Sequence, residues 1–353
     1  SFTERGGAVL ALTLALPAFA GPAVAQEAGP AAEQDGGERP PILDVHMHAF
    51  HATDMGPPPM AICAPFEAWP VWGQEQPYGA TAMEMFKNPT CANPVWSPET
   101  DEALMRATIE AMERHNIVGV LSGTPELVAK WRDAAPGRFI PGLTFNVAAP
   151  DAVSPDSMRA LVEAGNLAVL AEVINQYAGV APTDERMAPY WTLAEELDIP
   201  VGIHIGPGPP GATYLETPGY RARLSSAFTL EEVLTEHPDL RVYVMHAGFP
   251  LLEDMLAMLY AHPQLHVDIA VIAYTQPRER FHRYLERIVE AGFVDRIMWG
   301  SDQMVWPGTI EHSLRAIEEA PFLTEEQKRK ILYGNAARFL RLSDEEMERH
   351  RQM

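Results

Sequence analysis

The sequence predicts an α/β protein, a (β/α)8 TIM barrel with a long lid-like loop after its first strand. Three observations predict it. From Pro41 onward, short β-branched runs alternate with amphipathic stretches of helical period, the pattern of repeated βα units. Eight such pairs follow one another in an unbroken series. They occupy residues 41–342, close to the roughly 250 residues typical of a barrel. An open doubly wound sheet uses the same units and is the competing architecture.

Taken in order, strands are expected near 42–47, 117–121, 139–146, 167–173, 200–205, 241–246, 265–271 and 296–301. Each is a short run rich in Val, Ile and aromatic residues, which fit a pleated surface buried on both faces. Helices are expected between them at 99–115, 124–135, 154–165, 183–198, 228–237, 251–261, 278–291 and 308–320. Ser97 and Thr100, Ser154 and Thr229 stand where N-caps would start three of these, since their hydroxyls can accept from the first free N–H groups. Two segments depart from regularity. Residues 49–98 are long and rich in Pro, Met and aromatics, including Trp69, Trp72 and Trp96, a composition suited to a packed cover over the barrel mouth. Gly206-Pro-Gly-Pro-Pro-Gly211 is a stiff turn directly after the fifth strand. A capped helix over 324–341 closes the fold, and 343–353 is expected as a charged tail.

The N-terminus belongs to another category. Ala8 to Ala20 is an apolar run broken by Thr13 and Pro17 and followed by Ala23-Val24-Ala25. That pattern matches a secretory signal over 1–25, and the run is too short to cross a bilayer as a helix. Residues 26–40 read as a flexible linker. A periplasmic or secreted location is therefore expected, with no stable membrane insertion. Cys63 and Cys91, the two cysteines of the chain, could pair in such a compartment or remain small buried hydrophobes. The formal net charge of −22 argues against a nucleic-acid partner, because phosphate binding needs clustered cations. A small-molecule substrate is the expected partner, and a homo-oligomer is compatible with the composition.

The chemistry sits at strand ends. Asp44-Val-His46-Met-His48 closes the first strand, and strict alternation would turn Asp44, His46 and His48 to one face. Two imidazoles side by side in an apolar interior need a cation or a carboxylate. His204 ends the fifth strand, His246 the sixth and Asp302 the eighth, while Glu172 lies near the end of the fourth. A lone histidine is more often a core residue than a ligand. Polar residues ending four apolar strands at once point to a divalent metal site at the C-terminal mouth of a barrel.

Asp-x-His-x-His on strand one, His on five, His on six and Asp on eight resemble the metal-site order of the amidohydrolase superfamily. Tyr333-Gly-Asn-Ala-Ala-Arg-Phe-Leu340 resembles the Gly-Asn-Ala-x-Arg segment of the amidohydrolase-related family. That family includes aminocarboxymuconate-semialdehyde decarboxylase and various hydrolases. The resemblance covers 41–342 and implies that His46, His48, His204 and Asp302 bind a divalent ion, with zinc suited to the donors, and that the site holds one or two ions, the surplus of imidazoles leaning towards two bridged by Glu172. It implies that Asp302 moves a proton and that His246 is either a ligand to a second ion or a group polarising the substrate. Asp44 would orient an imidazole through its other nitrogen. Many superfamily members carry a carboxylated Lys on strand four, which is missing here. Glu172 resembles instead the bridging carboxylate of the TatD-like branch, or accepts hydrogen bonds from His204 or substrate.

Arg221 and Arg223 are candidates to hold a substrate carboxylate. Asn146, Gln176, Tyr177, Tyr214 and Tyr274 follow other strands and are candidate contacts. The resulting expectation is hydrolysis of an amide, lactone or ester by metal-activated water. The alternative is a carbon–carbon lyase, a decarboxylase of the same family. A TatD-like nuclease is disfavoured by the charge, and a non-catalytic barrel would have no use for the acid/base Asp.

Overall fold

In the computed structural model, residues 39–206 and 208–353 are described. The expected signal segment 1–25, and residues 26–38 of the expected linker, lie outside the described residues. Eight strands carry the fold: β1 Ile42–His48, β2 Ile117–Ser122, β3 Phe139–Pro141, β4 Leu170–Val173, β5 Val201–His204, β6 Val242–Met245, β7 Leu265–Asp268 and β8 Ile297–Met298. They pair in parallel as two arcs, β1-β2-β3 and β4-β5-β6-β7-β8. Single bridges from Gly142 to Val169 and from Phe145 to Val173 join β3 to β4. The seam between β8 and β1 is closed by Val45 N–H to Trp299 O at 3.1 Å and Asp302 N–H to His46 O at 2.8 Å. The ring is a closed barrel, so the open-sheet alternative falls.

β3 and β8 fall furthest short of expectation, for local reasons. Pro141 has no N–H to extend the ladder of β3. Beyond β8 the chain turns off the sheet, and Asp302 has a left-handed backbone with φ 49°.

Between the strands lie α1 Asp101–His115, α2 Pro125–Ala134, α3 Pro155–Glu163, α4 Ala188–Glu196, α5 Glu231–Glu236, α6 Leu252–Ala261, α7 Arg278–Glu290 and α8 Thr309–Glu318. Thr100 and Ser154 cap α1 and α3 as expected. Ser97 does not cap; its Oγ accepts from Met60 N. Thr229 does not cap either, since its hydroxyl donates to Ser226 O and the α-helix begins only at Glu231.

Strand residues divide between two apolar layers. Ile42, Met47, Ile117, Leu121, Val201 and Val244 pack outward against the helices. Leu43, Val45, Val118, Val120, Val169 and Met298 fill the interior below the site. Each full burial of such a side chain contributes about 1.5–3 kcal/mol. The C-terminal segment Glu325–Phe339 plugs that interior with Tyr333, Ala336 and Phe339. Residues 343–353 are more than a charged tail. Ser343 caps a helix Asp344–Arg351, His350 is buried, and its carbonyl accepts from Asn116 Nδ2 at 3.1 Å.

Asn335, the Asn of the closing motif, is fully buried and donates from Nδ2 to Val294 O at 2.9 Å and Ile297 O at 2.7 Å. Asn335→Ala would strip the buried Ile297 carbonyl and the half-buried Val294 carbonyl of this donor at a cost of about 1–3 kcal/mol. The expected result is a lower urea midpoint with unchanged activity per folded molecule; an unchanged midpoint would remove this structural role.

Residues 49–98 are held by a Cys63–Cys91 disulfide and a short antiparallel pairing of Ala61–Ile62 with Val95–Trp96. Phe66 N–H reaches Thr275 O after β7, Trp306 Nε1 after β8 donates to Met60 O, and Tyr78 OH donates to Pro210 O after β5. The excursion thus bridges loops at the C-terminal ends of three strands.

Candidate metal centre

The site is built on an irregularity of β1. Asp44 pairs with Gly119 but Met47 with Leu121, so three steps on β1 answer two on β2. This is a bulge, and it breaks strict alternation. Leu43 and Val45 pack in the barrel interior, while His46 and His48 meet the carboxylates above them. Asp44 is therefore not beside the imidazole rings. Its Oδ1 accepts from His46 N–H at 2.9 Å and Ser301 N–H at 3.0 Å, clamping β1 to the end of β8. Burial raises its pKa to about 7 against the opposing hydrogen bonds from Ser301 and His46.

The imidazole-orienting role expected of Asp44 belongs to Asp268. This residue ends β7 and is fully buried. Its Oδ2 lies 3.0 Å from His46 Nδ1, and its Oδ1 accepts from His246 N–H at 2.8 Å. One carboxylate thus fixes the His46 ring and the backbone of His246. The strand Leu265-His-Val-Asp268 ends in a carboxylate just as the approach to Asp302 does. The same signal would have found it.

Above Asp268 the expected residues converge. His48 Nε2 is 3.0 Å from Asp302 Oδ1, and His46 Nε2 is 3.9 Å from the same oxygen. Glu172 Oε2 lies 3.7 Å from His46 Nε2 and 3.6 Å from His48 Nε2. Its other oxygen, Oε1, is 2.7 Å from His204 Nδ1 and 3.9 Å from His246 Nε2. His246 Nδ1 in turn meets Ala270 O at 3.1 Å. Gly300 permits this closeness: a Cβ there would stand 2.8 Å from His46 Cβ. His246 and Asp302 both have left-handed backbones, φ 61° and 49°, conformations that for non-glycine residues concentrate at functional sites.

The electrostatics are those of a negative pocket. Burial opposes charge on His46, yet Asp302 and Asp268 raise its pKa well above the ordinary value. Burial likewise opposes ionisation of Glu172, and hydrogen bonds with His204 and His46 overcome it to hold the carboxyl well below its usual range. Asp302 is pushed down to about 2, where the imidazole of His46 and the contact with His48 outweigh desolvation. His246 is lowered to about 4 by burial and by its neighbours His204 and His46.

These groups could hold a divalent metal. His46 Nε2, which faces Glu172 and Asp302, is buried without a hydrogen-bond partner, an arrangement that costs free energy unless something else satisfies it. Ligands about 2.0–2.2 Å from one ion lie roughly 3.0–3.5 Å apart, and the atoms of His46, His48, Glu172 and Asp302 approach that spacing.

Other expected contacts are not brought here. Arg221 and Arg223 are exposed, and Arg221 Nη1 is spent on Pro218 O and Tyr220 O. The loop after β5 folds outward around its own carbonyls, so neither guanidinium meets the cluster. Tyr214 is exposed as well. Asn146 Oδ1 accepts from Ala148 N, and Gln176 binds the backbone of Gly206. Tyr274 donates to Asp302 O at 2.8 Å and so supports the turn. Tyr177 does lie at the centre, its ring 4.7 Å from that of His204.

Comparison with known proteins agrees with this architecture. The family model described as amidohydrolase matches residues 43–342. A curated relative, gamma-resorcylate decarboxylase of Rhodococcus jostii, is 24% identical over 273 residues, covering 65% of this chain and 79% of its own. Among solved structures, a probable 2-pyrone-4,6-dicarboxylic acid hydrolase from Acinetobacter baumannii superposes with TM-score 0.55 at 16% identity, covering 85% of this chain and 99% of that one. A dihydroxybenzoic acid decarboxylase from a Polaromonas species, with bound manganese and the inhibitor 2-nitroresorcinol, gives TM-score 0.50 at 15% identity over 67% and 86% of the two chains. The shared fold is the TIM barrel.

Proposed function

This chain belongs to the amidohydrolase family, and on that premise we propose that it is a metal-dependent carbon–carbon lyase releasing CO2 from a small hydroxylated aromatic carboxylate. The observation that carries the reaction type is the match to gamma-resorcylate decarboxylase across most of that protein's length. Hydrolysis of an amide, lactone or ester, the first expectation from the residues, becomes the second reading, favoured by the likeness to the pyrone hydrolase.

We assign the ion to His46, His48, Glu172 and Asp302, with His204 beside them; the unpartnered His46 Nε2, which faces Glu172 and Asp302, supports this. Zinc suits the donors, and manganese is the ion of one structural neighbour. A bound divalent metal supplies Lewis-acid polarisation of a substrate oxygen.

The remaining work falls to side chains. With its pKa near 2, Asp302 rests as a carboxylate. It would relay a proton from water to the ring carbon, the hydroxide left behind passing to bulk solvent or combining with the released CO2 as bicarbonate. That ring carbon keeps the electron pair of the breaking bond as CO2 leaves. In hydrolysis the same carboxylate would deliver the proton to the leaving group. With Nδ1 donating to Ala270 O, His246 turns its Nε2 acceptor into the site, 3.2 Å from His204 Nδ1. Burial keeps it uncharged at neutral pH, so it can accept a hydrogen bond from a substrate hydroxyl.

The test is incubation of zinc- or manganese-loaded protein with 2,6-dihydroxybenzoate and related hydroxybenzoates, reading CO2, beside an ester, lactone and amide panel. Metal-dependent CO2 release is expected. Hydrolysis of the panel with no CO2 from any benzoate would overturn the lyase reading in favour of the second one.

Residues 49–98 are assigned as the cover of the mouth, from their bridges to three strand-end loops. Export is proposed from the apolar segment Ala8 to Ala25 and supported by the Cys63–Cys91 disulfide. Mass spectrometry of periplasmic or secreted protein should find a chain starting near Gln26; an intact leader on exported protein would remove that boundary.

A further inference from the structure

We infer that Tyr177 is the hydrogen-bond donor that holds an anionic substrate oxygen beside His204 at the mouth of the site, and so selects substrates presenting such an oxygen there. Tyr177 lies on the turn Asn175–Ala178, directly beyond β4 on the same end of the barrel as the histidines. Its ring is tilted against His204 at 4.7 Å between centroids and faces Tyr220 at 6.1 Å. Tyr220, Tyr243, Tyr274 and Tyr284 give or share their hydroxyls with protein acceptors. Among the described residues the Tyr177 hydroxyl has no such partner, although it sits in the field of two carboxylates.

Its position is fixed from the other side by the turn after β5. Gln176 Nε2 donates to Gly206 O at 2.5 Å, Gly206 N–H returns to Gln176 Oε1 at 3.3 Å, and Ser225 Oγ donates to the same carbonyl at 2.9 Å. The turn so anchored lays Gly208, at φ 63°, against the phenol: a Cβ there would stand 2.9 Å from Tyr177 Cε1 and 3.2 Å from its hydroxyl. The ring is clamped between His204 and this turn, so its O–H is aimed before any ligand arrives, the condition under which a donor is worth most. Burial, reinforced by the charges of Glu172 and Asp302, holds the phenol well above its ordinary pKa.

A purely structural role, packing on His204, needs only the ring. Tyr177→Phe keeps the ring and removes the donor, which separates the two. The inference rests on the proposed carboxy-lyase reading for its probes, 2,6-dihydroxybenzoate and 2-nitroresorcinol. Calorimetric titration of metal-loaded full-length protein should show Tyr177→Phe binding them about 10- to 100-fold more weakly, with the same metal content as wild type. Wild-type affinity in the variant would overturn the inference while leaving the lyase reading intact. Should the wild type bind neither probe and release no CO2, that reading fails by itself. The donor is then tested on whichever ester, lactone or amide the wild type hydrolyses: kcat/KM of Tyr177→Phe must fall by at least ~10-fold, and an unchanged value overturns it.

Discussion

Asp302→Asn is expected to abolish turnover by a factor of at least ~10², the scale of losing a general acid/base, while the protein stays folded. The amide keeps an oxygen 3.0 Å from His48 Nε2, and the backbone contacts of residue 302 to His46 O and Tyr274 OH are untouched. What disappears is the charge that raises His46 and the capacity to carry a proton. Turnover at saturating metal, metal content and the melting temperature should be measured together. Near-wild-type turnover at saturating metal would sink the assignment, whichever reaction the enzyme performs.

Glu172→Gln is the second large effect. From residue types alone, the surplus imidazole argued for two ions bridged by this carboxylate. The ligand set proposed above holds one. Oε2 stands with His46 and His48, whereas Oε1 is 2.7 Å from His204 Nδ1, a hydrogen-bonding distance that engages His204 with the carboxylate itself. Wild-type protein is expected to saturate at one equivalent of zinc or manganese. Glu172→Gln removes an anionic ligand and should weaken that equivalent by more than the roughly 10- to 100-fold loss typical of an outer-shell partner. A second equivalent in the wild type, lost in the variant, would restore the bridging arrangement. A loss within the outer-shell range would move Glu172 out of the ligand set.

Much of the fold was legible because its signals are local. β-branched runs, amphipathic helices and hydroxyl caps depend on neighbours within a few residues, and all eight strands lie where that pattern put them. The rule that polar residues ending apolar strands meet at the barrel mouth brought His46, His48, Glu172, His204, His246 and Asp302 together without error. It failed at Asp44, because a bulge in β1 is a property of its pairing with β2 and leaves no mark in β1 alone. Arg221 and Arg223 failed similarly, since the path of the loop after β5 is set by what Gly206 binds across the mouth.

The sequence by itself determined the family, the barrel, the metal-type donor set and the chain order in which the strands supply it. Period, composition and motif spacing suffice for those. Only the tertiary structure decided that Asp268, not Asp44, steadies His46, and that Glu172 turns one oxygen to each pair of histidines. It alone showed that the Tyr177 hydroxyl has no partner among the described residues and that Asp344–Arg351 docks as a helix. Each of these depends on which atoms from distant segments come within about 3 Å in a buried medium, where an unpaired polar group is costly. Residue types and their spacing along the chain do not specify such distances.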